Sequence, residues 1–173
     1  MKKLAVLVAA LVCAAPVFAG DTGILKLSLW GDIAVAVPNN KAHVTGIDLG
    51  IGSSTAKVDG VQLDLIYSEA GTVRGINDAW IYAKVGTIYG VQSAIVSVSE
   101  DKVIGVQSGW VDLAHGQVTG VQLGIYNQVE DLHGLQLGLV NNARHISKGL
   151  QIGLVNIARN GWLKVLPIVN GHF

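Results

Sequence analysis

Hydrophobic and polar positions along the chain recur as a short unit. From residue 46 onward a glycine opens each copy, at Gly46, Gly60, Gly75, Gly90, Gly105, Gly120, Gly134 and Gly149, always fourteen or fifteen residues apart. An aliphatic residue follows each time (Ile47, Val61, Ile76, Val91, Val106, Val121, Leu135, Leu150), and then an acid or an amide (Asp48, Gln62, Asn77, Gln92, Gln107, Gln122, Gln136, Gln151). The fifth position is small, with Asp64 the exception, and the sixth is large and apolar throughout, from Ile51 and Leu65 to Leu139 and Leu154. Large-apolar alternating with polar-or-small over about six residues is the period of a β-strand. Asn127, Asn141 and Asn156 hold the eighth position of the last three copies. Asn tolerates left-handed backbone and bonds its own neighbours, so a turn is predicted there. An aliphatic residue then returns shortly before the next glycine, as Val58, Val73, Ile88, Val103, Val118, Leu132 and Ile146.

A unit with one firm strand and one weaker edge has the size of one coil of a narrow β-solenoid. Such a coil cannot bury its apolar side alone and is stabilised by stacking on its neighbours. The pattern therefore predicts an all-β chain of about eight coils, a rod of roughly 35–40 Å. Partial alternation from Ile24 to Val37 stops at Pro38-Asn39-Asn40, and Trp162 to Val169 departs from the repeat. Both flanks are expected to cap the open ends of the stack, since uncovered strand edges invite end-to-end association. The expected organisation is a leader at 1–19, an N-terminal strand and cap at 20–45, tandem repeats at 46–160 and a C-terminal cap at 161–173.

A small outer-membrane antiparallel β-barrel is the alternative, suggested by Phe173, scattered Trp and Tyr, and length for about eight strands. Strands of an up-and-down barrel alternate in direction, so its natural repeat is two strands, and a lipid-facing strand needs ~9–11 residues. Here every copy opens alike, the alternation is shorter, and Asp78, Ser93 and Ser108 interrupt the apolar face. The solenoid fits these features better.

Composition and charge narrow the setting. Half of the residues are hydrophobic, only 14% are charged, and there are 22 glycines, which is too apolar for disorder. Met1-Lys2-Lys3, an apolar run to Val17 and the small-x-small Val17-Phe18-Ala19 form the pattern of a cleaved secretory signal, with a mature chain expected from Gly20. The single cysteine, Cys13, falls inside that leader. The mature part is thus expected to hold no disulfide and no thiolate metal site, and Val12 before the cysteine argues against lipidation. Equal numbers of basic and acidic residues in the whole chain argue against a nucleic-acid partner.

Gly134-Leu-Gln-Leu-Gly-Leu-Val-Asn141 and Gly149-Leu-Gln-Ile-Gly-Leu-Val-Asn156 resemble the GLQIGLVN repeats of a poorly characterised group of exported bacterial surface-repeat proteins. The likeness is tight over Gly120 to Asn170, looser over Gly46 to Thr119, and includes the closing Gly161-Trp162-Leu163-Lys164-Val165-Leu166-Pro167-Ile168-Val169-Asn170 segment. It implies a periplasmic, outer-membrane or cell-surface location in a Gram-negative-type bacterium, and it carries over no catalytic residue.

Motifs of enzymatic chemistry are not found: there is no nucleophile elbow, phosphate loop, dinucleotide fingerprint or zinc-ligand spacing. No catalytic residue, cofactor or metal is therefore expected, and the function class is a non-enzymatic scaffold or binding surface, with an integral outer-membrane protein as the alternative. The partner expected is a protein or another envelope component, and membrane association stays open. The column Gln62, Asn77, Gln92, Gln107, Gln122, Gln136 and Gln151 is expected to be a structural ladder, each amide bonding the next rung, rather than a glycan-binding face. Tyr67 with Tyr82 and Trp80 with Trp110 are expected to fill the core of the less regular coils, an aromatic patch for glycans or lipids being the other reading. The histidines at 43, 115, 133, 145 and 172 are expected to be exposed turn residues.

Overall fold

The computed structural model describes residues 22–39 and 41–173. The expected leader with Cys13, and Asn40 of the predicted turn, lie outside the described residues. Among the described residues nine strands form one sheet: β1 (Gly23–Trp30), β2 (Ile33–Val37), β3 (His43–Ala79), β4 (Tyr82–Ser93), β5 (Val96–Ser108), β6 (Val111–Leu123), β7 (Tyr126–Leu137), β8 (Val140–Ala158) and β9 (Val165–His172). Their order is β2-β1-β3-β4-β5-β6-β7-β8-β9. From β1 through β8 neighbouring strands other than β2 pair in parallel. This is a β-solenoid of about six turns and not a barrel; the sheet ends at β2 and β9 instead of closing on itself. The barrel alternative is thereby overturned. Pairing between separate strands accounts for those turns, and the glycine column continues to Gly46 within β3, a single strand 37 residues long.

Parallel register places like positions on like positions. Gly75 pairs with Gly90, Gly90 with Gly105, Gly105 with Gly120, and Gly134 with Gly149. The glycine is the corner of the coil, and two constraints hold it. At Gly105 φ is 134°, a backbone state closed to L side chains. A Cβ added there would stand 2.0 Å from the carbonyl oxygen of Gly90 on the rung below. Backbone stacked this closely has no space for a methyl group.

Four main columns point inward, beside fifth-position residues such as Asp64, Ala79 and Ala94 that are also buried. The third-position amides form one; Ser68, Ala83, Ser97, Asp112, Asn127, Asn141 and Asn156 form a second; small residues such as Ala70, Ala114, Ala143 and Ala158 form a third; and Val58, Val73, Ile88, Val103, Val118, Leu132 and Ile146 form the fourth. The last two make up the aliphatic core. Two of these four columns are thus polar, and most of their amides are accommodated by hydrogen bonds to the neighbouring rung or to backbone carbonyls.

Two expectations about local structure are corrected. Asn127, Asn141 and Asn156 do not mark turns: they lie within strands and are fully buried. The interruption falls earlier, at the fifth and sixth positions, for instance Ala94-Ile95 and Gly109-Trp110, where the small fifth residue permits the bend. The large apolar residues of the sixth position do not enter the core either. Ile95, Trp110, Ile125, Leu139 and Leu154 all point outward. A coil of about fifteen residues encloses a narrow interior, and four inward columns of modest side chains already fill it.

The ends of the stack are covered by antiparallel strands. β1 lies on the first coil, Leu25 against Ile47 and Leu27 against Leu49, and β2 folds back along its outer edge. At the other end β9 runs antiparallel to β8. Pro167, inside β9, offers no N–H to a further strand, and a short or proline-bearing edge discourages further pairing.

Candidate functional site

Alternation with amide and small residues inward sends the second, fourth and sixth positions outward. The result is a surface of aliphatic and aromatic side chains running the length of the stack, with Ile47, Leu65, Ile76, Ile125, Leu139 and Leu154 among those exposed. Charged side chains occupy the rest of the coil, between the ninth position and the next glycine: Glu69, Lys84, Glu100, Glu130 and Arg144 stand there. The rod is therefore amphipathic about its long axis.

Three consecutive coils depart from this pattern together. The fourth position, aliphatic in Leu49, Leu63, Leu123, Leu137 and Ile152, becomes Asp78, Ser93 and Ser108. In the same coils the sixth position carries Trp80, Ile95 and Trp110, which are successive rungs joined by Ile95 N–H to Trp80 O at 3.2 Å and Trp110 N–H to Ile95 O at 2.9 Å. Trp80 is 70% exposed and Trp110 64%. With Ala79, Ala94 and Gly109 they line a shallow groove of about 450 Å³. The expectation that these tryptophans fill the core is corrected: the outward parity of the sixth position places both indoles on the surface. Tyr67 and Tyr82 do not line the groove. They stack face to face, centroids 5.6 Å apart and planes 6° from parallel, and the Tyr67 hydroxyl donates to Glu69. Burial, with that bond, pushes the Tyr67 phenol well above its ordinary value.

The amides of the third position are buried and linked rung to rung. Gln122 Nε2 donates to Gln107 Oε1 at 2.9 Å, Gln136 to Gln122 at 2.7 Å, and Gln151 to Gln136 at 2.7 Å, while Asn77 donates to Gln62 at 3.0 Å. Between Asn77 and Gln92 the ladder is interrupted. Asn is one methylene shorter, and Gln92 Nε2 turns instead to the carbonyls of Ala83 and Val98. With every member inside the coil, this column offers no face to a ligand.

A second ladder, missed in the sequence, runs through the asparagines. Asn127 Nδ2 donates to Asn141 Oδ1 and Asn141 Nδ2 to Asn156 Oδ1, both at 2.8 Å. Asp112 precedes them on the adjacent rung, and neither of its oxygens nor Asn127 Oδ1 has a hydrogen-bond partner among the described residues. Desolvation raises the Asp112 carboxyl to about 7, and desolvation with the charge of Asp48 does the same for Asp64. The eighth-position Asn column is the signal for this ladder, but the same polarity fits a turn, and only closure of the coil separates the two.

All five histidines sit on strands rather than turns, and four of them face a carboxylate. His43 is 3.0 Å from Asp59, His115 2.9 Å from Glu100, His145 3.2 Å and His133 3.8 Å from Asp131. Three of these pairs join residues fourteen to sixteen apart in sequence, the distance of one coil. Glu69 and Lys84 are register partners on neighbouring rungs, yet the Lys84 ammonium pairs with Glu100 at 3.1 Å. The His115 and Lys84 hydrogen bonds hold the Glu100 carboxyl below the usual range. Among the described residues no group of three His, Cys, Asp or Glu side chains is arranged to hold a metal ion. No family model, curated protein or solved structure matches this chain.

Proposed function

We propose that this chain is a non-enzymatic exported repeat protein of the bacterial envelope, a rigid scaffold whose apolar outer face binds another protein or envelope component. The observation that carries this reading is the outward placement of the second, fourth and sixth positions over successive coils. Contiguous exposed apolar surface beyond a few hundred Å² is uncommon on a solitary soluble protein and marks a contact surface. At ~4.8 Å per rung the face of about six turns is roughly 30 Å long. A parallel stack holds it flat and rigid, so little conformational entropy is lost when a partner covers it. The Lys2-Lys3 leader pattern and the GLQIGLVN-type units support export, to the periplasm, outer membrane or cell surface.

Fractionation of the host with and without changes to this face tests the reading. Leu65→Ser with Ile125→Ser removes apolar surface from two coils without touching the inward columns. Wild-type chain is expected with the envelope or in complex, and the double variant free in the soluble periplasmic or secreted fraction with unchanged circular dichroism. Cytoplasmic wild-type protein, or a variant distributed like the wild type, refutes it.

A further inference from the structure

From Gln62 onward the third position of the coil carries a neutral amide, but the first two rungs of that column do not. Lys26 of β1 and Asp48 of β3 are register partners on adjacent rungs. Their side chains are 1% and 0% exposed, with Nζ 3.4 Å from Oδ2. Two hydroxyls bridge them. Thr55 accepts from Nζ at 2.5 Å and donates to Asp48 Oδ2 at 2.5 Å. Ser53 accepts from Nζ at 3.3 Å and donates to the same oxygen at 2.8 Å. Ser28 donates to Asp48 Oδ1 at 3.3 Å, and Nζ also donates to the carbonyl of Ser54 at 2.6 Å.

An ion pair buried this deeply gains little net stability, because removing both charges from water costs about as much as their attraction returns. A charge-neutral product is favoured in the same place. Asp64 lies beyond Ser28, against Gly50. Its carboxyl is raised to about 7 by burial and by the charge of Asp48, so much of it is uncharged at neutral pH.

We propose that Lys26 and Asp48 condense into an intramolecular isopeptide bond, an amide between Nζ and Cγ that ties β1 to the first coil. The ammonium passes one proton through the Thr55 hydroxyl to Oδ2, leaving a neutral amine beside a neutral carboxyl. Nζ attacks Cγ and the N–C bond forms, with the Ser28 hydroxyl donating to the charge that develops on Oδ1. A second proton moves from nitrogen to Oδ2 through Thr55 or Ser53, the Cγ–Oδ2 bond breaks, and Oδ2 departs as water. Ammonium and carboxylate become an amide and one water, with no redox partner and no change in net charge. The dry site disfavours the reverse hydrolysis. The location suits a staple. A stacked array opens from its ends, and no cysteine follows Cys13 in the sequence, so the first coil has no disulfide to hold it. The product also continues the neutral-amide chemistry of the column above it.

The test is the intact mass of the full chain, produced with its own leader and purified after folding. Wild type is expected one water lighter than its mature sequence, and Lys26→Arg at the full mass of its own sequence. Protease digestion of wild type is expected to yield a branched peptide joining Lys26 to Asp48. Thr55→Val should leave a substantial uncross-linked fraction, which Thr55→Ser restores. Wild-type protein at full mass overturns the proposal, as does a water deficit that persists in Lys26→Arg, which would place the dehydration elsewhere. Should Lys26→Arg not fold, presence or absence of the branched peptide in wild type decides.

Discussion

Replacing Asp112 by Asn should stabilise the protein at neutral and alkaline pH. Asp112 occupies the rung before Asn127 in a column whose later members pass hydrogen bonds in one direction, Nδ2 of each to Oδ1 of the next. Asn127 Oδ1 lacks the donor this direction requires. Ionised Asp112 presents only acceptors to it, whereas the side-chain amide of the Asp112→Asn variant would supply the missing N–H. The magnitude follows from linkage. Desolvation raises the carboxyl from 3.8 to about 7 in the folded state. A folded value above the unfolded one means that the folded state holds its proton more tightly, so stability is fully present below about pH 4 and is lost as pH rises to about 7. At 1.36 kcal/mol per pH unit the loss reaches ~4 kcal/mol, and the restored hydrogen bond contributes ~1 kcal/mol more. Urea unfolding of wild type and Asp112→Asn, followed by circular dichroism at pH 4, 5 and 8, separates these contributions. The variant should lead by ~4–5 kcal/mol at pH 8 and by well under ~1 kcal/mol at pH 4, where protonated Asp112 carries an O–H donor of its own. Asp64 titrates in both proteins and cancels in the comparison. An advantage that does not grow with pH, or a variant less stable at pH 8, would refute the argument.

Other outcomes follow from the columns. Gln122→Leu removes the bonds to Gln107 Oε1 and Gln128 O and leaves Gln136 Nε2 without its acceptor; a loss of ~3–5 kcal/mol is expected in urea unfolding, and a loss below ~1 kcal/mol would show that the ladder does not stabilise the stack. Gly105→Ala forces a Cβ to 2.0 Å from Gly90 O at a φ of 134° and should cost on the order of 4 kcal/mol, against less than ~0.5 kcal/mol for exposed Thr119→Ala; equal midpoints for the two would contradict the close stacking. Excising residues 105–119 sets Gly120 directly after Ile104 with the register kept, so a folded, shorter rod is expected by circular dichroism and size exclusion. Removing 162–173 uncovers β8 and should cause aggregation; a collapsed internal deletion beside a monomeric tail deletion would sink the capped stack.

The regular part of the molecule was legible because a period of fourteen or fifteen residues admits few arrangements. Glycine at a fixed place in every copy, followed by alternation over six residues, requires each copy to adopt one orientation, and stacked coils satisfy that while an up-and-down barrel does not. The flanks were legible for a related reason: segments that break the repeat at both ends have a stack edge to cover. Alternation alone, however, separates two faces without saying which is inside. Leu65, Trp80 and Ile125 look like core residues, and a ladder through Gln122 fits either face, until the coil closes. Closure leaves a narrow interior in which stacked amides complete their hydrogen bonds from rung to rung, so the amides go in and the large apolar side chains go out. Partnership across rungs was equally hidden. His115 and Glu100, Asn127 and Asn141, and Lys26 and Asp48 are remote in sequence, and only parallel register one coil apart makes neighbours of them.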